Sequence, residues 1–294
     1  MCALIPLLWS PLRKLTSAQG HLPIGFPFVG GHEGSGVVEK IGPSVQHVKP
    51  GDHVLLTFST CRNCEACRRG IDPYCLNLFS TNFNGFRPDG TRPYSSTNGE
   101  RICSFFFGQS SFAKKAIVNA SSAVVVPSDL PLDILCPLGC GIQTGAGTVL
   151  NVLKPEAGHT LAIFGAGAVG MAAVMAAAIT PASKIIAVDI VDTKLELAKS
   201  LGATHVINGA RSENVIAEIK ALTKGMGVDR AMDTTGNIGI IQDTMLNCVA
   251  PGGIAATVGT ASPDETVSIS PGKWVAKGVS YVGVHQGSSV PKMV

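Results

Sequence analysis

The sequence has few charged residues, few aromatic residues and no block of like charge. Its formal net charge of +3 is too small to favour a nucleic acid or an acidic membrane surface as a partner. The best apolar run, residues 171–180, is much shorter than the ~20 residues that a membrane-spanning helix needs. The N-terminal apolar stretch precedes its positive charges, whereas a secretory signal has the reverse order. We therefore expect a cytoplasmic protein with neither a nucleic-acid partner nor a membrane partner.

The content of hydrophobic residues, 45%, is enough to form a sizeable core and excludes wholesale disorder. A length of 294 residues allows two modest domains. Residues 1–150 read as short strands and loops, with strand patterns at 36–41, 53–58 and 123–126. This half of the sequence therefore predicts a β-rich domain.

Residues 151–294 alternate apolar strand patterns with helical patterns. Near the end of this alternation, residues 238–249 predict a helix and residues 254–258 predict a strand. Such alternation is typical of a parallel sheet with helices on both faces. The second half therefore predicts an α/β domain with a doubly wound parallel sheet.

A glycine-rich hexapeptide, Gly-Ala-Gly-Ala-Val-Gly, matches G-x-G-x-x-G between an apolar strand pattern and an Ala-rich helix pattern. Gly165 suits a tight turn, Gly167 a close approach of pyrophosphate, and Gly170 close packing of helix and strand. Asp189 ends the next strand pattern, where an acid binds ribose hydroxyls and repels a 2′-phosphate. Lys194 is a second candidate ribose contact. The motif and Asp189 therefore predict binding of NAD rather than NADP. The alternative interpretation of the hexapeptide is a glycine-rich turn in an unrelated α/β fold.

Four cysteines follow the spacing C-x2-C-x2-C-x7-C, and they are Cys61, Cys64, Cys67 and Cys75. One loop with this spacing can wrap a tetrahedral zinc ion, and four thiolates leave no position open for a reacting water. The alternatives are an iron–sulfur cluster and disulfides, but the spacing is not that of a ferredoxin and a reducing compartment opposes disulfides. We therefore predict a structural zinc site.

Further motifs carry a family resemblance. They are Gly-His-Glu-Gly-Ser-Gly at 31–36, Lys-Pro-Gly-Asp-His-Val at 49–54, the four-cysteine loop, Gly-Cys-Gly-Ile-Gln-Thr-Gly at 139–145, and the nucleotide motif. In the order and spacing of these motifs, the chain resembles the zinc-containing medium-chain alcohol dehydrogenases. Within that family, its sequence resembles the members that oxidise aryl and other primary alcohols. The resemblance implies an α/β protein with an incomplete GroES-like catalytic domain followed by a Rossmann domain.

The resemblance also implies site residues. His32 and Cys140 match two ligands of a catalytic zinc, Glu33 lies beside the ion, and Thr144 lies near the nicotinamide. The four cysteines match the ligands of a structural zinc. The matches to cofactor-binding positions are Gly165, Gly167, Gly170, Asp189 and Lys194. The implied reaction is hydride transfer between a primary or aryl alcohol and NAD, and residues 279–284 resemble an edge strand that pairs in a homodimer.

The chain departs from the family pattern at both ends. The family's third catalytic-zinc ligand is a Cys that should fall near residues 10–13, and no Cys stands there. Cys2 is the only upstream cysteine, and it lies too early for the family spacing. The sequence also stops at Val294, before the segment that follows in family members. These departures predict a chain truncated at both ends.

Three functions compete. The first is a zinc alcohol dehydrogenase acting on a small alcohol or aldehyde. The second is a zinc-free quinone or enoyl reductase of the same two-domain design, which the four-cysteine loop and the His32–Cys140 pair argue against. The third is a truncated, impaired homologue that only binds zinc and NAD or serves as a dimer partner.

Overall fold

The computed structural model describes the backbone of residues 2–4 and the residues 24–262 and 264–291. The chain divides into two compact units. The first comprises Met1–Cys140 with Val290–Val294, and the second comprises Gly141–Ser289. The candidate metal-binding residues belong to the first unit and the candidate cofactor-binding residues to the second.

The first unit contains a five-stranded antiparallel sheet in the order β4-β1-β2-β3-β5. Its strands are β1 (Cys2–Leu4), β2 (Ser35–Lys40), β3 (His53–Leu56), β4 (Ala116–Val118) and β5 (Ala123–Val126). Apolar side chains of β2 to β5 form one core, which includes the fully buried Val54, Leu56 and Val118. The strands predicted at 36–41, 53–58 and 123–126 are therefore confirmed as β2, β3 and β5.

The helices of the first unit are short and lie in its loops. They are the α-helices Glu65–Arg68, Leu78–Asn82 and Leu132–Leu135 and the 3₁₀ turns Asp72–Tyr74, Phe106–Gly108, Ala120–Ser122 and Cys136–Gly139. The last of these turns ends directly before Cys140 and so sets where this thiol lies.

The second unit contains a six-stranded parallel sheet in the order β11-β10-β9-β6-β7-β8. Its strands are β6 (Thr160–Phe164), β7 (Lys184–Asp189), β8 (His205–Asn208), β9 (Val228–Asp233), β10 (Val249–Thr257) and β11 (Ser280–Gly283). The strand order reverses between β6 and β9, the position at which doubly wound sheets bind ligands. The predicted doubly wound parallel sheet is confirmed.

Both faces of this parallel sheet are covered, because alternate residues of β6 enter different cores. Leu161 and Ile163 join one apolar cluster, and Ala162 and Phe164 join another. The helices of this unit are Gly141–Gly147, Thr148–Leu153 (π), Ala168–Ala178, Asp192–Ser200, Val215–Leu222, Ile240–Met245 (π), Leu246–Cys248, Pro271–Lys277 and Gln286–Ser288 (3₁₀). Across the described part of the chain, none of the helices has the length and apolar character that a membrane crossing requires.

The structure differs from the sequence pattern before β10. The helix predicted over 238–249 is largely a π-helical segment followed by one short α-turn, and β10 begins at Val249 instead of Ile254. The register of β10 against β9 shifts between these two residues. The reason is the Pro-Gly-Gly sequence inside the strand, where Gly252 adopts a φ of +76° and interrupts the apolar pattern.

Candidate functional site

The four cysteine thiols converge in the first unit. The Sγ atoms of Cys61, Cys64, Cys67 and Cys75 all lie within 4.8 Å of one another. Individual Sγ–Sγ distances are 3.5 Å for Cys64–Cys67, 3.9 Å for Cys64–Cys75 and 3.5 Å for Cys61–Cys75. Thiolates about 2.3 Å from a tetrahedral zinc stand about 3.8 Å apart, whereas disulfide sulfurs lie about 2.05 Å apart. The cluster therefore fits one zinc ion, and these four cysteines are free thiols.

Hydrogen-bond donors surround these thiols. The Asn77 side chain donates to Cys61 Sγ at 3.3 Å, and the Leu76 backbone N–H donates to Cys64 Sγ at 3.4 Å. Burial raises the pKa of the Cys61 thiol, but the Asn77 amide and nearby backbone N–H groups outweigh burial and lower that pKa to about 6. Since the thiolate is the form that binds zinc, this environment favours metal binding.

A second cluster lies apart from the cysteine loop in the same unit. One ligand atom from each of His32, Glu33 and Cys140 lies within 4.8 Å of the others, and all three residues are buried. Burial and the nearby Glu33 carboxylate raise the pKa of the Cys136 thiol, four residues before Cys140. A buried set of one nitrogen, one sulfur and one carboxylate suits zinc, which binds all three donor types. The cluster therefore fits a metal ion.

Aromatic rings form one wall of this cluster. The His32 ring lies 4.6 Å from the Phe107 ring and 5.6 Å, edge to face, from the Phe106 ring. Phe28 and Phe83 contact Phe106 in turn, and these rings belong to one buried apolar cluster. The wall keeps water away from this side of the imidazole, because Phe106 and Phe107 are themselves buried.

The segment that carries this wall has a strained backbone. Phe105, Phe107 and Ser110 adopt φ values of +71°, +53° and +52°. Such left-handed conformations of residues other than glycine cost about 1–3 kcal/mol each and persist only where the surrounding structure enforces them. Here the Ser110 hydroxyl accepts from Phe106 N–H and donates to the Val29 carbonyl, which anchors the segment beside the turn before His32.

Gln109, in the same segment, was not identified as a candidate from the sequence. Its side chain is completely buried, and its amide bonds to the backbone of His32, Gly34 and Thr57. No sequence motif marks it, because its partners come from distant parts of the chain. The only signal was that an uncharged polar residue stands within an aromatic run.

The glycine-rich turn of the second unit has three different environments. Gly165 has a φ of +93°, and a Cβ there would lie 2.5 Å from Thr234 Oγ1. A Cβ at Gly170 would lie 1.8 Å from the Gly165 carbonyl oxygen. A Cβ at Gly167 would meet nothing within 4 Å, and Gly167 is the N-cap residue of the helix Ala168–Ala178. Space and a helix N-terminus therefore coincide at Gly167, which suits a pyrophosphate.

Asp189 lies at the end of β7, next to this turn. One carboxylate oxygen accepts from Ala166 N–H at 2.7 Å, and the other accepts from the N–H groups of Ile190 and Val191 at 2.8 and 3.0 Å. The ammonium of Lys194 lies 4.0 Å from the carboxylate. The structure thus brings Asp189, Lys194 and the turn together at one edge of the sheet.

Thr144 lies in the helix Gly141–Gly147 and is buried. Its hydroxyl donates to Gln286 Oε1 at 3.5 Å, and the Gln143 amide donates to the same oxygen at 2.9 Å. Gln286 was not identified from the sequence either. It is 1% exposed and has a φ of +51°, a strained conformation next to a candidate cofactor-binding residue.

Two sequence predictions lie outside the described residues. One is the absence of a third cysteine ligand near residues 10–13, and the other is the side chain of Cys2, for which only the backbone is described. Within the described residues, the second cluster therefore consists of His32, Glu33 and Cys140.

Comparisons with known proteins agree with this architecture. The sequence matches the family "Alcohol dehydrogenase GroES-like domain" over residues 12–128 and "Zinc-binding dehydrogenase" over residues 168–294. It is 39% identical to a probable alcohol dehydrogenase of Pseudomonas sp over 279 residues, which are 94% of this chain and 86% of the relative.

Two solved structures extend the comparison. An alcohol dehydrogenase zinc-binding domain protein from Burkholderia ambifaria has a TM-score of 0.94 at 40% identity, and benzyl alcohol dehydrogenase from Acinetobacter calcoaceticus has 0.92 at 38% identity. Each match covers 99% of this chain and 78% of the other. The predicted GroES-like and Rossmann domains and the predicted zinc alcohol oxidoreductase are confirmed. The chain therefore belongs to the zinc-dependent medium-chain alcohol dehydrogenase family.

Proposed function

We propose that this enzyme interconverts a primary or aryl alcohol and its aldehyde, with NAD as the hydride carrier. The observation that carries the proposal is the buried convergence of His32, Glu33 and Cys140. His32 and Cys140 would hold the catalytic zinc, and Glu33 would stand beside it. When bound, zinc lowers the pKa of the alcohol and NAD accepts the hydride.

The protein's own residues bind and orient the reactants. His32 is held by its ring contacts with Phe106 and Phe107, which fix the direction of the imidazole and keep water out of this side of the site. Glu33 places a negative charge at the cluster, which offsets the charge of a divalent cation. Excluding water strengthens each of these electrostatic interactions.

A similar protein of known structure supports an aryl substrate, because it is named benzyl alcohol dehydrogenase. We therefore expect benzyl alcohol to be oxidised more efficiently than ethanol.

The nucleotide proposal rests on the second unit. The turn glycines Gly165, Gly167 and Gly170 leave room for a pyrophosphate at the helix start, and Asp189 with Lys194 would bind the adenosine ribose. The Asp189 carboxylate would repel a 2′-phosphate, which favours NAD over NADP. Thr144, whose hydroxyl is oriented by Gln286, would lie near the nicotinamide.

We assign a structural role to the four-cysteine cluster. Cys61, Cys64, Cys67 and Cys75 would complete the coordination of a zinc ion and leave no position for substrate. We also propose a cytoplasmic enzyme, because free thiols at metal-ligand spacing persist in a reducing compartment. The chain would form a homo-oligomer through β11, which is the edge strand of the six-stranded sheet and can pair with a second copy.

The test compares His32→Ala and Cys140→Ser with the unchanged enzyme. Each variant should retain one zinc per chain and lose at least ~100-fold of its NADH production from benzyl alcohol. Elemental analysis measures the zinc, and NADH absorbance measures the rate. Cys248→Ser, at a buried thiol of the other unit, is the control and should keep the zinc content and the rate of the unchanged enzyme. Full activity of His32→Ala would refute the assignment.

A further inference from the structure

We propose that Gln109 is a positioning residue that holds the two segments carrying His32 and Cys140 at the separation a shared metal ion requires. The inference rests on the proposed metal site. It concerns a residue that touches neither metal nor substrate and that acts through the backbone.

Gln109 bonds to both sides of the His32 turn. Its Nε2 donates to the His32 carbonyl at 2.9 Å, and its Oε1 accepts from Gly34 N–H at 3.2 Å. The carboxamide therefore spans the backbone on either side of Glu33. Because the side chain is 0% exposed, water does not compete for these bonds.

The same amide reaches the segment that carries Cys140. Gln109 Nε2 also donates to the Thr57 carbonyl at 3.2 Å, and the Thr57 hydroxyl donates to the Gly139 carbonyl at 2.9 Å. Gly139 directly precedes Cys140. A continuous set of hydrogen bonds thus runs from the His32 turn through Gln109 and Thr57 to the backbone of the second ligand.

Close packing allows little adjustment around this connection. A Cβ at Gly139 would lie 1.9 Å from the Leu56 carbonyl oxygen, and Leu56 N–H donates to the Gly34 carbonyl at 2.8 Å. The end of β3 is therefore in contact with both ligand segments. A change in the hydrogen bonds of Gln109 would shift both segments relative to this strand.

The strained backbone around Gln109 supports a functional role. Phe107 and Ser110 have positive φ on either side of it, as does Phe105 just before. Strain of this kind persists where the fold needs a side chain at a defined place. Here it places one amide where three backbone groups converge.

Only a glutamine satisfies these partners. Its carboxamide supplies two N–H donors and one acceptor, and all three bonds are needed. A glutamate would lack the donors to His32 and Thr57, an asparagine would be one methylene too short, and a leucine would remove all three bonds.

The test is the rate at which a chelator removes each metal from the enzyme loaded with two zinc ions per chain. In Gln109→Leu, release from the His32–Cys140 site should accelerate about 10- to 100-fold, the usual effect of losing a group that orients a ligand. Release from the four-cysteine site should stay the same, which makes that site an internal control. Thr57→Val should show a smaller acceleration, and Thr57→Ser should restore the original rate.

Asn82→Leu is the matched control for general destabilisation. Asn82 is a buried amide of the same unit that bonds to Ser59, and it makes no bond to Gln109 or Thr57 among the described hydrogen bonds. Its loss should leave release from the His32–Cys140 site unchanged. If Gln109→Leu does not fold, the comparison of zinc release between Thr57→Val and Thr57→Ser tests the proposal instead.

The outcomes separate the two proposals. Two zinc ions per chain with unchanged release in Gln109→Leu and Thr57→Val would overturn the role of Gln109 and leave the metal site standing. A wild-type chain that holds zinc at the four-cysteine site alone would refute the metal site, and the role of Gln109 with it.

Discussion

Asp189 has both carboxylate oxygens occupied by backbone N–H groups, from Ala166 on one side and from Ile190 and Val191 on the other. A carboxylate held at both oxygens cannot rotate away, so its remaining lone pairs keep a fixed direction. Such pre-orientation reduces the entropy that a bound ribose would otherwise cost. At the scale of single residues, we therefore expect the preference for NAD over NADP to depend on the Asp189 carboxylate.

Asp189→Asn should weaken NAD binding by about 10- to 100-fold, the equivalent of one hydrogen bond to a charged group. The discrimination against NADP should fall in parallel, because the neutral amide no longer repels a 2′-phosphate. Titration of both dinucleotides by fluorescence measures the two constants. Glu196→Gln, at an exposed carboxylate of the following helix, should change neither. An unchanged NAD-to-NADP ratio in Asp189→Asn would contradict the assignment.

At the scale of elements, different glycines of the turn between β6 and the helix Ala168–Ala178 serve folding and ligand binding. A Cβ at Gly165 would meet the Thr234 side chain at a positive φ, and a Cβ at Gly170 would meet the Gly165 carbonyl oxygen, whereas Gly167 faces open space. Two substitutions of identical chemistry, three residues apart, should therefore have different effects.

Gly170→Ala should destabilise the second unit by about 1–3 kcal/mol, because its Cβ overlaps the Gly165 carbonyl oxygen. Gly167→Ala should leave stability unchanged within about 0.5 kcal/mol and weaken NAD binding by at least ~10-fold, because its methyl group occupies the pyrophosphate space. Urea unfolding and NAD titration of both variants measure the two effects. Normal NAD affinity in Gly167→Ala would show that the dinucleotide binds elsewhere.

One carboxylate links the starts of β6 and β9. Asp229 accepts from both Thr160 N–H and the Thr160 hydroxyl at 2.8 Å. Burial raises the pKa of Asp229, but these hydrogen bonds and the charge of nearby His159 outweigh burial and lower the pKa below its usual 3.8. The ionised form is therefore the one that stabilises the folded unit.

Asp229→Asn should reduce the free energy of unfolding by about 1 kcal/mol at neutral pH, a value at the low end because the group is partly exposed. Since the folded pKa is depressed, the contribution is complete above pH 3.8 and is lost as the pH falls through the folded pKa. The difference between the two proteins should disappear in acid. Urea unfolding at several pH values tests this, with exposed Asp243→Asn as the control; a pH-independent difference would exclude the ionic contribution.

At the scale of the whole molecule, each unit carries its own core and its own candidate site. The four-cysteine loop belongs to the first unit, and the apolar clusters of the parallel sheet consist of residues of the second. A structural metal contributes directly to the free energy of folding of the part that binds it.

Cys64→Ser should remove one zinc per chain and destabilise the first unit by several kcal/mol, while the second unit keeps its stability. Hydrogen exchange followed by mass spectrometry distinguishes peptides of the two units. Cys103→Ser, at a buried thiol outside both clusters, should retain the zinc. Equal loss of protection in both units would show that the loop supports the whole chain.

Sequence patterns predicted elements well where a local rule decides the structure. The alternation of strands and helices in the second half was predicted because a strand buried on both faces reads as a short apolar run. The start of β10 was missed because Pro251 and Gly252 resemble a break, although the strand passes through them with an irregular register.

The candidate sites show the same limit. Motifs pointed to His32 and Cys140, and the structure brings their ligand atoms together with that of Glu33. Gln109 and Gln286 were not predictable, because no motif marks either residue and their partners come together only in the folded chain. These partners are backbone groups for Gln109 and the side chains of Gln143 and Thr144 for Gln286. Their signals were complete burial and neighbouring positive φ, which are properties of the folded chain.

The sequence separations of the two metal clusters differ greatly. Cys61 and Cys75 are 14 residues apart, whereas His32 and Cys140 are about 110 residues apart and enclose the whole cysteine loop. Closing the longer loop costs about 2 kcal/mol more chain entropy. During synthesis the ribosome releases all four cysteines before Cys140 exists. We therefore expect the cysteine loop to bind its ion while the chain is still being synthesised. The buried cluster would bind its ion only after Cys140 has been made, and would then compete for the zinc that remains available.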